Sequence, residues 1–320
     1  MATQTAVRVQ PATKRSSQTG DTVARLVTLV FAATVLLIAV ILVFELWKGS
    51  GPARHKSGWG FLFSSEWNPV TEKFGALPFI YGTVVTSILA LLVSVPLGVG
   101  AAIFLSELAP AGISNALTFL VELLAAIPSV IYGLLAIFTL VPLMRSYGEP
   151  FLKKTLGFLP FFQGPAFGVG FLTAGLILAV MTFPFIISVS RESLLAVPRD
   201  QREAALALGA TRWEMTSQVV VPYAKLGILG SIFLALARAL GETMAVTMVI
   251  GNDPSIHASL LAPGYSIAAV IANEFTEATG EVYPAALVEL GLVLFCLTIV
   301  LNALARLMIL ATTKKGSRRN

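Results

Sequence analysis

Six stretches of the chain are continuously apolar, and polar segments separate them. Strands that cross a membrane alternate apolar and polar residues over about ten positions. These runs do not alternate and are about twice that length, which predicts membrane-spanning helices. The first, Leu26 to Phe44, carries no charge and would extend about 28 Å as a helix, close to the roughly 30 Å of a bilayer's hydrocarbon. It is too long for the apolar part of a signal peptide, so a retained span is expected. Further spans are expected within Pro78–Ser106, within Leu117–Pro142, at about Val169–Val189, over Leu226–Ile250 and at about Pro284–Leu304. Pro96, Pro128 and Pro184 fall inside these runs, where neighbouring groups can satisfy the freed carbonyls. A short apolar piece, Ile267 to Ala272, cannot cross and predicts a surface or re-entrant helix. The expected fold is an all-α membrane protein with six transmembrane helices.

Composition agrees with this pattern: 56% of residues are hydrophobic and only 12% are charged, against about 25% charged in globular chains. The net charge of +5 does not indicate nucleic acid, because the basic residues sort by membrane side. Fourteen of the 22 lie in residues 1–25, in the segment 191–225 and after the sixth run, from Arg306 onward, and seven lie in the other loops. Basic residues collect on the cytoplasmic side, so both termini and 191–225 are expected there. Residues 1–25 form the expected N-terminal tail, 26–310 the membrane domain and 311–320 a basic tail. Trp47, Trp59 and Trp67 suit an interfacial belt. Cys296 is the single cysteine, His55 and His257 are far apart, and no metal-ligand spacing occurs.

Arg238 is the remaining basic residue, and it falls in the middle of the fifth run. An Arg at mid-membrane costs about 3 kcal/mol on insertion scales and more than ~10 in simulations. It must therefore face protein or water. If the run is one helix, Glu242 lies one turn on and on the same face. Two readings follow: this face lines the route of an anionic solute, or it holds a structural ion pair. Glu122 and Glu289 sit near helix ends, where a place close to the headgroups is the favoured reading.

The segment 191–225 contains a predicted short helix. Pro198 restricts its entry, Ala and Leu favour its interior, and Gly209 suits a left-handed position after its end. Ala204, Ala205, Leu206 and Leu208 would give it a small apolar surface between charged flanks. Such a helix is a docking knob for a partner's groove or an amphipathic helix lying on the bilayer.

Glu203-Ala204-Ala205, followed by Gly209 and Val221-Pro222, resembles the EAA motif of ABC importer permeases. Ala126 to Gly133, Gly241 to Val246 and Ile271 to Phe275 resemble the PstC-type permeases of phosphate-specific importers. The likeness extends over about residues 20–310. It implies the MetI-like core of a type I importer, with 191–225 carrying a coupling helix for the ATPase through Glu203, Ala204, Ala205, Leu208 and Gly209. It also implies phosphate passage at Arg238 and Glu242. The expected partners are a second, PstA-type permease, a dimeric PstB-type ATPase and a PstS-type phosphate-binding protein, in the bacterial inner membrane, with no cofactor. The chain has no G-x-x-x-x-G-K-[ST] phosphate loop, so it is expected not to be an enzyme itself. Permeases for sulfate or another oxyanion, a secondary transporter, or a membrane sensor are the alternatives.

Overall fold

A computed structural model describes residues 17–316; of the expected tails, 1–25 and 311–320, the parts at 1–16 and 317–320 lie outside the described residues. The chain divides into two compact units, Met1–Lys48 and Gly49–Asn320. The described residues are helical with no β-strand among them, and six helices are long and apolar enough to cross a membrane.

Helix α1 (Ser17–Gly49) contains the expected first run. The hydroxyls of Thr28 and Thr34 donate to the carbonyls of Ala24 (2.6 Å) and Val30 (2.9 Å). Their polar groups are thereby satisfied within the helix, as an apolar medium requires.

The second unit holds α2 (Leu77–Leu108), α3 (Ala111–Ala125), α4 (Ser129–Leu156), α5 (Phe171–Leu195), α6 (Arg199–Ala207), α7 (Arg212–Leu240), α8 (Ile267–Glu274) and α9 (Val282–Gly316). α5 is the central element. Ile177, Leu178, Met181, Ile186 and Ile187 are all nearly fully buried on it. Small residues let its neighbours approach, as in other membrane bundles. The buried hydroxyls of Ser190 on α5 and Ser231 on α7 lie 2.8 Å apart.

Three expectations are corrected. The third span does not run through Pro128. Pro128 disfavours helical geometry at the residue before it, so α3 ends at Ala125 and α4 begins at Ser129. α3 measures about 22 Å, short of the hydrocarbon thickness, and the crossing helix continues to Leu156. Wide π-type turns at 136–140, 144–148 and 216–220 precede Pro142, Pro150 and Pro222. A proline ring clashes with the carbonyl four residues back, and one extra residue in the turn relieves that clash.

The fifth span begins earlier than expected and ends at Leu240, not Ile250. Gly241 closes it, and the following apolar residues form a buried loop with one short helical turn, Met244–Thr247. That loop and the one after it have a task. The first N–H groups of any helix lack partners; here Gly170 and the α5 residues Phe171 and Leu172 donate to the carbonyls of Val249, Ala262 and Leu260.

Trp67 is the third correction. It packs edge-on against Phe74 and Phe79, and its indole N–H donates to Glu274 at 2.9 Å. It belongs to the core beneath the loops, not to an interfacial belt. Trp59 remains exposed.

Candidate functional site

Arg238 lies in the last turn of α7, with its guanidinium carbon 4.4 Å from the centre of the Phe185 ring on α5. Along α5, Phe185 is about 21 Å from Phe171 and about 15 Å from Leu195. The cation therefore sits near mid-depth of the bundle. Its Nε is buried without a hydrogen-bond partner. Tyr132 on α4 lies within its field and donates its hydroxyl to the Leu124 carbonyl at 2.7 Å.

The expected alignment of Glu242 with Arg238 does not occur. Helical spacing applies only within a helix, and α7 has ended before Glu242. Its Oε1 accepts a 3.4 Å hydrogen bond from the Ala245 N–H, across the start of the short turn that follows. Among the described residues, no ion pair joins Arg238 to Glu242. The two share a neighbourhood in the chain without sharing a face.

Two of the family-like segments meet here. A Cβ on Gly133 would lie 3.1 Å from the Ala245 Cα and collide with the Met248 sulfur. Only glycine lets α4 approach the turn after Glu242 so closely. The third such segment supports the loop end. Glu274 also accepts the Tyr283 hydroxyl at 2.7 Å, and Asn273 donates to the Tyr265 hydroxyl at 3.0 Å.

α6 forms as its sequence predicts. Pro198 enters with extended geometry, and Gly209 has φ +88°. The Gly209 N–H donates to Leu206 and the Ala210 N–H to Ala205, the paired bonds of a Schellman end. Glu203, Ala204, Leu206 and Leu208 are exposed, and Leu208 stands 90% clear. Ala205 faces inward against a buried cluster that includes Leu194, Val197 and Met215. A reciprocal capping box between Thr211 and Glu214 then starts α7.

Sequence reasoning missed Arg202. Beside the exposed row, it turns inward and pairs with Glu107 at the end of α2 (Nη2 to Oε1, 2.9 Å). The two residues are 95 positions apart, which leaves no local signal. Glu289 lies in the first turns of α9, and its side chain is buried there. Glu122 is exposed.

A cleft of about 520 Å³ opens at the loop end, between Gln163–Phe167 and Asp253–Pro263. Burial works to raise the Asp253 carboxyl, but hydrogen bonds from Ser255 and the adjacent His257 outweigh it and hold the group below its ordinary value. Arg238 and Glu242 do not line this cleft. Among the described residues, no group of three His, Cys, Asp or Glu side chains is arranged to hold a metal ion.

Residues 94–313 match the family described as "Binding-protein-dependent transport system inner membrane component". Two curated sequences called "Phosphate transport system permease protein PstC" are each 48% identical to this chain. One, from Mesorhizobium japonicum, aligns over 87% of both chains. The other, from Xylella fastidiosa, aligns over 88% of both. Among solved structures, a chain of a bacterial alginate ABC transporter in complex with an alginate pentasaccharide-bound periplasmic protein superposes with a TM-score of 0.58. It covers 88% of this chain and 93% of its own, at 17% identity, which supports the fold alone.

Proposed function

Because the chain belongs to the binding-protein-dependent transport system inner membrane components, and among them to the PstC phosphate permeases, we propose that it forms half of an ATP-driven pathway for inorganic phosphate. It is a multi-pass inner-membrane protein, and residues 26–310 make up its permease domain. The observation that carries the reading is Arg238. It is a cation at mid-depth, resting on an aromatic ring rather than on a carboxylate. Its fork-shaped donors match phosphate oxygens.

Conduction needs a site that binds well enough to admit the anion and weakly enough to release it. One Arg per permease meets that need. Glu242 has one long hydrogen bond and is only half-buried. It is the candidate acceptor for the proton of a hydrogen phosphate, a proton that sulfate lacks.

The exposed residues Glu203, Ala204, Leu208 and Gly209, with Ala205 anchoring the helix from its inner side, seat the ATPase, a separate PstB-type dimer. A PstA-type permease supplies the other half of the pathway, and a PstS-type protein delivers phosphate at the cleft end. Both termini and α6 face the cytoplasm. In this scheme ATP-driven closure of the ATPase displaces α6 and opens the route outward. Phosphate then reaches Arg238, and hydrolysis restores the inward state.

The test is phosphate uptake into proteoliposomes holding the whole complex, comparing wild type with Arg238→Gln while assembly and ATPase activity are followed. Loss of uptake by tenfold or more with assembly intact is expected, and excess sulfate should not compete in wild type. Undiminished uptake in the variant would place the route on other helices.

A further inference from the structure

Glu107 ends α2 with only 4% of its side chain exposed. A carboxylate removed from water needs a partner of opposite charge. Arg202 supplies it through both prongs, Nη2 to Oε1 at 2.9 Å and Nε to Oε2 at 3.2 Å. Such paired bonds fix orientation as well as distance. The same guanidinium donates to the Leu194 carbonyl at 2.8 Å and to the Val197 carbonyl. These carbonyls belong to the last turn of α5 and the bend beyond it, where helix ends leave acceptors free. One side chain thus ties α6 to the ends of both α2 and α5.

The ties continue inward from there. The Ser114 hydroxyl on α3 donates to the Leu105 carbonyl of α2 at 2.7 Å. The far end of α3 accepts the Tyr132 hydroxyl at Leu124, and Tyr132 feels the charge of Arg238. α6 itself has nine residues between a proline entry and a left-handed glycine exit. Both bends could absorb a push unless the helix is held from its inner face.

We propose that Glu107 and Arg202 are a positioning pair that carries displacement of α6 into the α2–α3 elbow and on toward Arg238. This rests on α6 being the seat of the ATPase. Contiguity alone does not establish coupling, so the test must read coupling itself. In proteoliposomes holding the whole complex, phosphate uptake and ATP hydrolysis are measured together for wild type, Glu107→Gln, Arg202→Lys and the exchange Glu107→Arg with Arg202→Glu.

The expected result is that Glu107→Gln assembles and hydrolyses ATP while phosphate moved per ATP falls at least fivefold, with the exchange recovering part of the ratio. Arg202→Lys, which keeps the charge and loses the fork, should also be uncoupled. An unchanged ratio in all variants overturns the proposal. Loss of assembly in both Glu107→Gln and the exchange also overturns it, because the pair would then serve folding. Leu208→Glu separates the two readings. If that variant assembles and transports normally, α6 is not the ATPase seat and both readings fall. If it blocks ATPase association while the pair variants keep a normal ratio, only the positioning role fails.

Discussion

Arg238 and Glu242 illustrate how a single turn of backbone decides a site. Had α7 continued, the two would stand one turn apart and neutralise each other. The chain leaves the helix at Gly241, and the cation turns to Phe185 while the carboxylate turns to the Ala245 N–H. Residues in direct contact couple by about 0.5–3 kcal/mol, and independent ones by less than about 0.5. A double-mutant cycle on thermal unfolding of the assembled complex, with Arg238→Gln and Glu242→Gln, should therefore give a coupling below about 0.5 kcal/mol. A larger value would mean that the two meet in the assembled protein. Gly209 makes a second prediction at this scale. Its left-handed φ disfavours any residue with a Cβ, so Gly209→Ala should cost about 1 kcal/mol locally. It should also weaken ATPase association, measured by co-purification, with membrane insertion unchanged.

The helices were legible wherever the apolar pattern and the helix coincide. α1, α2 and α9 contain their expected runs, and α6 was readable down to its entry and exit residues because Pro198 and Gly209 act locally. Two kinds of element were not legible. The run continuing past Leu240 is apolar because Ala245, Val246, Val249 and Ile250 are buried, and hydropathy does not distinguish a buried loop from a span. The Arg202–Glu107 pair, like the core position of Trp67, depends on residues distant in the chain. Arg238 could be recognised by its cost in the membrane, but its partner could not. The close approach at Gly133 gives an element-scale test. Gly133→Val would force α4 away from Ala245 and Met248, and overpacking of this kind typically costs about 1–3 kcal/mol. Thermal unfolding of the complex should record that loss, with uptake reduced along with it.

At the scale of the molecule, the shared end of α2, α5 and α6 lies opposite the end where the cleft opens. Leu208→Cys and Val70→Cys in a Cys296→Ser background should therefore label from opposite sides of the membrane, with Leu208 reacting from the cytoplasm. Labelling of both from one side would overturn the topology. Alkaline stability should report the loop end. Burial, aided by the charge of Glu274 and opposed by the Asn273 hydrogen bond, pushes the Tyr265 hydroxyl up from 10.0 to about 12. The folded protein holds that proton more tightly than the unfolded chain does. The stabilisation is complete below pH 10 and disappears as the pH rises toward 12. Tyr265→Phe should therefore flatten the fall in melting temperature across that window.

The ring beneath Arg238 also bears on speed. Exchanging a cation–π contact for an oxyanion forfeits only about 0.5–2 kcal/mol, whereas parting a buried ion pair can cost about 3–5. At ~2 kcal/mol, waiting over Phe185 would weaken capture by about thirtyfold. On the proposed route, an arriving anion would find Arg238 unengaged by a carboxylate, and a departing one would leave behind a charge that already has somewhere to rest. A carboxylate in place of that ring would act as a competing anion permanently tethered to the route, slowing every passage.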